Sequence, residues 1–215
     1  AIAEAIGKLN QPEKAADLLK LAIASANQIQ DSNFKAYALS AIAEAIGKLN
    51  QPEKAADLLK LAIASANQIQ DSNSKTNALR AIAEAYGKLN QPEKAADLLK
   101  LAIASANQIQ ESFSKAYALS AIAEAIGKLN QPEKAADLLK LAIAAANQIQ
   151  DSDDKAYVLS AIAEAEANLK NWGQALQATQ QCPSDDCKVE SLAKVLTVHA
   201  EQQHPELKEE ENEEE

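Results

Sequence analysis

The chain has no methionine, two cysteines and two histidines, and only 3% of its 215 residues are aromatic. The missing methionine carries little weight, because near-identical internal copies sample few independent positions. Five glycines and six prolines leave little for turns beyond a recurring Asn-Gln-Pro, which points to an all-helical protein. Lys and Arg form no cluster able to neutralise phosphates, so double-stranded nucleic acid and anionic membrane surfaces are not expected partners. No apolar run approaches eighteen residues without a charge, which excludes a transmembrane helix. The formal net charge is −10; the last ten residues, ELKEEENEEE, supply −6 and leave a mildly acidic body of −4.

Catalytic signatures are missing too. There is no glycine-rich phosphate loop, His-Glu-x-x-His or nucleophile elbow, so neither an enzyme nor a cofactor is expected. His199 and His204, five residues apart, do not share a helix face and read as solvated surface.

What the chain does have is a forty-residue unit, AIAEAIGKLNQPEKAADLLKLAIASANQIQDSNFKAYALS, at residues 1–40. It returns at 41–80, 81–120 and 121–160, and a diverged copy begins at Ala161. A period between twenty and fifty residues marks a solenoid, in which each unit hides its apolar face against its neighbours. The expected organisation is a solenoid over 1–205 and a disordered acidic tail over 206–215. The solenoid comprises a truncated first repeat, four further units and a capping helix at about 186–203. Because Ala1 falls inside a unit, the chain reads as a fragment or a processed chain, with a removed signal peptide left open. The incomplete first helix would expose apolar surface and invite end-to-end self-association.

Within one unit, Asp31-Ser32-Asn33 offers N-cap side chains. Ala36, Leu39, Ile42, Ala43, Ile46 and Leu49 then mark one face of a helix, termed A. Asn50-Gln51-Pro52 turns the chain, with Pro52 suited to a first helical position and Glu53 to the positive end of the dipole. Helix B is expected from Pro52 to about Gln70, burying Ala55, Leu58, Leu59, Ala62, Ile63, Ala66 and Ile69. Gly47, repeated as Gly7, Gly87 and Gly127, reads as close packing or a loosened helix end. In the last unit Glu166 stands where Ile46 and Ile126 stand in others. The final helix is expected to cap the stack with Val189, Leu192, Val195 and Leu196.

These residues resemble the tetratricopeptide repeats. That signature sets a large residue, a Leu-Gly or Leu-Ala step and an aromatic on helix A against Ala, a large residue and Ala on helix B. Leu39, Ile42-Ala43 and Ile46 match the first set, and Ala55, Leu59 and Ala62 the second. The unit is longer than the usual 34 residues, as in kinesin light chains and many bacterial repeat proteins. Asn50-Gln51-Pro52 replaces the usual Gly-Asp-Tyr turn, and Asn67 the closing proline. The resemblance implies a right-handed α-solenoid of antiparallel hairpins, about eleven helices, that binds a protein or peptide on a groove lined by helix A. The alternative is a designed or recently duplicated structural array with no specific ligand.

On that face Tyr37, Ser40, Glu44 and Lys48 form one stripe. It is repeated as Asn77, Arg80, Glu84 and Lys88, then as Tyr117, Ser120, Glu124 and Lys128, with Tyr157 and Glu164 in the next unit. The bland reading is a solubilising stripe, since Glu followed four residues later by Lys suits helix ion pairs of about 0.2–0.5 kcal/mol. A chaperone-tail clamp is set aside, because Ser40 and Glu44 occupy the places of its Lys and Asn. Cys182 and Cys187 bracket Pro-Ser-Asp-Asp. Free or buried thiols rank first for them, a disulfide stapling the shortened last helix B next, and a metal site third, for want of other ligands.

Overall fold

The computed structural model describes residues 12–48 and 52–204, and every regular element among them is an α-helix. The expected first half-helix at 1–9 and the acidic tail lie outside the described residues. The chain divides into two compact units between Ile109 and Gln110. The first holds α1 (Pro12–Asn27), α2 (Ser32–Gly47), α3 (Pro52–Asn67), α4 (Ser72–Lys88) and α5 (Pro92–Ala106). The second holds α6 (Ser112–Lys128), α7 (Pro132–Ala146), α8 (Ser152–Asn168), α9 (Trp172–Gln180) and α10 (Asp185–Gln203). Helices α2, α4, α6 and α8 are the A helices of successive copies; α1, α3, α5, α7 and α9 are the B helices.

Local chemistry sets the ends of each helix. Asp31 accepts from the Asn33 and Phe34 amides at 2.9 and 3.0 Å, and Asp151 does the same for Asp153 and Asp154. Each carboxylate thereby satisfies amides that an α-helix leaves unpaired at its start. The A-to-B turn after α4 is a Schellman motif: the Gln91 amide donates to Tyr86 O and the Asn90 amide to Gly87 O, both at 2.9 Å. Asn90 takes the left-handed conformation this requires, with φ 55°, and Asn130 repeats it at 59°. Asparagine tolerates that region better than most residues. Lys170 occupies it at 62° without that advantage. Proline then opens α5 and α7, where a missing N–H costs nothing.

The B helices end earlier than the periodicity predicts, at Asn67 rather than Gln70. The Gln68 and Ile69 amides tighten onto Ser65 O and Ala66 O at 3.2 and 3.1 Å, and the chain leaves the helix. Ile69 is still 3% exposed, buried as a loop anchor while Asp71 is freed to cap α4. The expected apolar faces are otherwise the buried ones, from Ala36, Leu39, Ile42, Ala43 and Ile46 on α2 to Leu58, Leu59 and Ala62 on α3; Leu49, expected on the same face as Ile46, lies outside the described residues. Ile63 is only half-buried.

Packing follows the copies. Within the first unit α2 lies against α4, α1 against α3, and α4 against α5; within the second, α6 lies against α7 and α8, and α8 against α9 and α10. Alanine faces make the close approach feasible. A Cβ on Gly47 would lie 3.3 Å from Lys88 Cδ and 3.4 Å from Ala85 Cα, and one on Gly127 would lie 2.6 Å from Leu169 Cδ2. Close packing, not a loosened end, accounts for these two glycines.

The final helix turns a different face inward from the one its apolar spacing predicts. Cys187, Ser191, Val195 and Val198 are buried, whereas Val189, Leu192 and Leu196 are 66%, 37% and 64% exposed. Two constraints set this rotation. Ser191 Oγ lies 2.8 Å from Thr179 Oγ1 in the interior, and Cys187 is joined to Cys182 as a disulfide, with Cα atoms 5.6 Å apart. The structure therefore joins the cysteines instead of leaving two thiols. The closed loop is short, so the chain-entropy model assigns the link about 2 kcal/mol. Adding a reductant should lower the unfolding free energy by about that much and raise hydrogen exchange in α9 and the start of α10. Unchanged exchange there would rule out the stapling role.

Candidate functional site

The A helices carry the residues singled out above, and alanines between them form the floor. In the first unit, Ala41, Ala81 and Ala85 let α2 and α4 approach, leaving a cavity of about 410 Å³ walled by Tyr37, Ser40, Glu44, Arg80, Glu84 and Lys88. Asn77 and Lys48 were expected on this stripe but do not line the cavity. Lys48 instead pairs with Glu44 at 3.2 Å, and Asn77 is half-buried.

The glutamate ladder is paired less regularly than the spacing predicts. Glu44–Lys48 and Glu124–Lys128 form at 3.2 and 2.8 Å. Glu84, however, pairs backwards with Arg80, and Glu164 meets Lys194 of α10 at 3.8 Å. Asn168 stands where the fourth lysine would be, so Glu164 turns to a different helix. Both partners of the first pair are about half exposed, where such bridges contribute about 0–1 kcal/mol. Arg80 and Glu84 are more enclosed, and Arg80 Nε is buried with no hydrogen-bond partner.

The second unit has a different character. Tyr117 and Tyr157 wall a cavity of about 200 Å³ together with Ser120, Glu124, Glu164 and Lys194. Ser120 belongs to its floor, since it is 5% exposed and its Oγ donates to Tyr117 O at 2.9 Å. Glu124, Glu164 and Lys194 also border a larger recess of about 660 Å³, which α10 closes with Ala193, Thr197, Val198 and Glu201. Sequence reasoning gave α10 only a capping role. It follows the last B helix where an A helix would stand, but its sequence does not repeat the unit, so the periodicity carries no signal that Lys194 borders the site.

A second missed residue is Phe113. Its ring centroid lies 6.3 Å from Tyr117 and 6.1 Å from Tyr157, and the two tyrosines are 6.0 Å apart. Tyr117 is 40% and Tyr157 56% exposed, so the three rings make an accessible aromatic patch. The available signal was a phenylalanine at a helix start where the two preceding copies have Asn33 and Asn73. Tyr37 is more solitary at 77% exposure. His199, read as solvated, is exposed and meets Trp172 edge-on at 4.8 Å.

No protein-family model matches the chain, and no curated protein sequence matches it. Solved structures do. Ton1535 from Thermococcus onnurineus NA1 matches with a TM-score of 0.57 and 19% identity, over 92% of this chain and 56% of that one. The chain thus spans little more than half of Ton1535. Two crystal structures of nearly identical TPR-like repeats from a Podosopora anserina putative kinesin light chain, one a point variant, match at 21% identity. Their TM-scores are 0.50 and 0.49, over 94% of this chain and 93% and 94% of those. At such identities the likeness concerns the fold, and it rests on the matches at 0.57 and 0.50.

Proposed function

The chain has the TPR-like helical-repeat fold, and from that premise we propose that it is a protein- or peptide-binding scaffold that takes its ligand on the A-helix stripes. Repeat proteins of this kind present extended surfaces suited to such a role. The observation that carries the reading is the exposed aromatic patch of Phe113, Tyr117 and Tyr157 beside a cavity edged by Glu124, Glu164 and Lys194. A solubilising stripe needs charges, but it has no use for three clustered rings. Tyrosine supplies a large rigid contact area at small entropy cost and is enriched at binding hot spots. The reading is of a binding protein and not of an enzyme. No helix among the described residues is long and apolar enough to cross a membrane. End-to-end self-association would rest on residues 1–9, outside the described residues.

The test is selection from a displayed peptide library followed by measurement on variants. Tyr117→Ala should weaken a selected peptide at least tenfold, the loss of about 1.4 kcal/mol or more that marks an aromatic anchor. Helicity and melting should hardly change. Arg80→Ser reports in the same way on the first unit's stripe. Lys60, exposed on helix B and paired with Asp57 at 2.8 Å, is the control; Lys60→Ala should leave binding intact. Loss of binding in the control alone would move the ligand to the B-helix face. A library that yields no binder would favour the structural-array alternative.

A further inference from the structure

We propose that the aromatic patch of the second unit is a platform for a cationic side chain, so that the preferred ligand is an arginine-bearing peptide. The inference rests on the peptide-binding reading and adds the charge and shape of the residue received there.

Two observations single out this place. The first is where the copies differ. Helix-A starts read Asn33-Phe34, Asn73-Ser74, Phe113-Ser114 and Asp153-Asp154 in otherwise near-identical units. The second unit alone thus combines an added aromatic with two added carboxylates. The second observation is their placement. Phe113 precedes Tyr117 by four residues and stacks with it at an interplanar angle of 8°. Asp153 and Asp154 precede Tyr157 by four and three residues, which sets all three on one helix face, and both aspartates are exposed.

Charge then decides what kind of group suits the rings. Residues 110–204 include thirteen acidic and eight basic side chains, a net of −5. Around the starts of α6 and α8 stand Glu111, Asp151, Asp153 and Asp154 against Lys115 and Lys155. Glu111 and Asp151 are occupied with capping backbone amides, and Asp153 and Asp154 are exposed carboxylates four and three residues before Tyr157. At the opposite end, Glu124 and Glu164 are matched by Lys128 and Lys194. Four carboxylates against two lysines thus leave a net −2 at the helix starts that carry Phe113 and Tyr157. Aromatic faces themselves carry a negative quadrupole that attracts cations. The three ring centroids lie 6.0–6.3 Å from one another with planes 8–39° apart, so a planar group can stack on an outer face of the cluster. A planar guanidinium can stack on such a surface while donating to a neighbouring carboxylate, which a compact ammonium does less well.

The experiment titrates the whole chain with three capped nonapeptides of Gly and Ser carrying, at two positions, arginine, citrulline or glutamate. Amide resonances around Phe113, Tyr117 and Tyr157 are the readout. The arginine peptide should bind at that patch, and citrulline, its neutral isostere, should bind at least about threefold more weakly. Tyr157→Ala should weaken the arginine peptide by a similar factor. The double change Asp153→Asn with Asp154→Asn should do so too and should flatten the salt dependence. Helical circular dichroism checks that each variant is folded. Equal binding of arginine and citrulline peptides, or preference for glutamate, would overturn the cation inference and leave peptide binding in place. If neither these probes nor any library-selected peptide perturbs the patch, both readings fall.

Discussion

Replacing Tyr86 with alanine should cost about 3–5 kcal/mol of unfolding free energy, the range for deleting a large buried ring. Tyr86 stands at the helix-A position that holds Ile46 in the preceding copy and Ile126 in the next, and it is 2% exposed. Its hydroxyl reaches Ala56 O only at 3.4 Å, and Lys94 Nζ lies 5.5 Å from the ring centroid. Burial pushes the phenol above its ordinary pKa, so it stays neutral at pH 7. The packing of the ring, not its hydroxyl, is therefore what α4 uses. Tyr86→Phe should cost less than about 1 kcal/mol, given so long a hydrogen bond. Tyr86→Ile restores the residue of the neighbouring copies and should cost less than Tyr86→Ala, because it leaves a smaller cavity. Urea unfolding distinguishes these; near-equal losses for phenylalanine and alanine would mean that the hydroxyl matters more than the ring.

The same position in the last copy gives the opposite expectation. Glu166→Ile should stabilise the protein at pH 7 by about 1–4 kcal/mol, the range seen when buried ionic groups yield to apolar ones of similar volume. Glu166 is 1% exposed and accepts a hydrogen bond from Asn171 Nδ2 at 2.9 Å. Desolvation raises its pKa, while that bond and the charge of Lys140 act against the rise. Isoleucine fits the local backbone, because the bond from the Asn171 amide to Glu166 O is matched by that from Gln131 to Ile126 O. Asn171 is only half-buried, so its side chain can turn to water.

The pH dependence follows from the sign of the shift. With the folded pKa above the unfolded one, near 4.3, Glu166 costs least when protonated in both states. Its contribution to stability is complete below the unfolded pKa and is lost as pH rises through the folded pKa. Glu166→Gln keeps an acceptor for Asn171 and should remove that slope. If the wild-type protein and Glu166→Gln showed the same pH–stability profile upward from pH 4, Glu166 would not be a buried acid.

Periodicity alone determined the helices, their hairpin order and most of the core. A forty-residue repeat puts the same residue in the same environment each time, so Leu39, Leu79, Leu119 and Leu159 are all nearly inaccessible. The caps were equally legible, because Asp31 and Asp151 act on amides two and three residues away. Reasoning failed where distant residues compete for the same space. The end of helix B depends on Ile69 staying buried in the loop, and the rotation of α10 depends on Cys182 and Thr179, which belong to the preceding segment. The stripe from Tyr37 to Glu164 could be drawn on a helix surface. That Glu164 pairs with Lys194, that Tyr157 joins Phe113 and Tyr117, and that Lys194 borders the cavity were decided only when helices thirty or more residues apart came into contact. Side-chain spacing along one helix is set by its own geometry, whereas a site shared by several helices is set by how they pack.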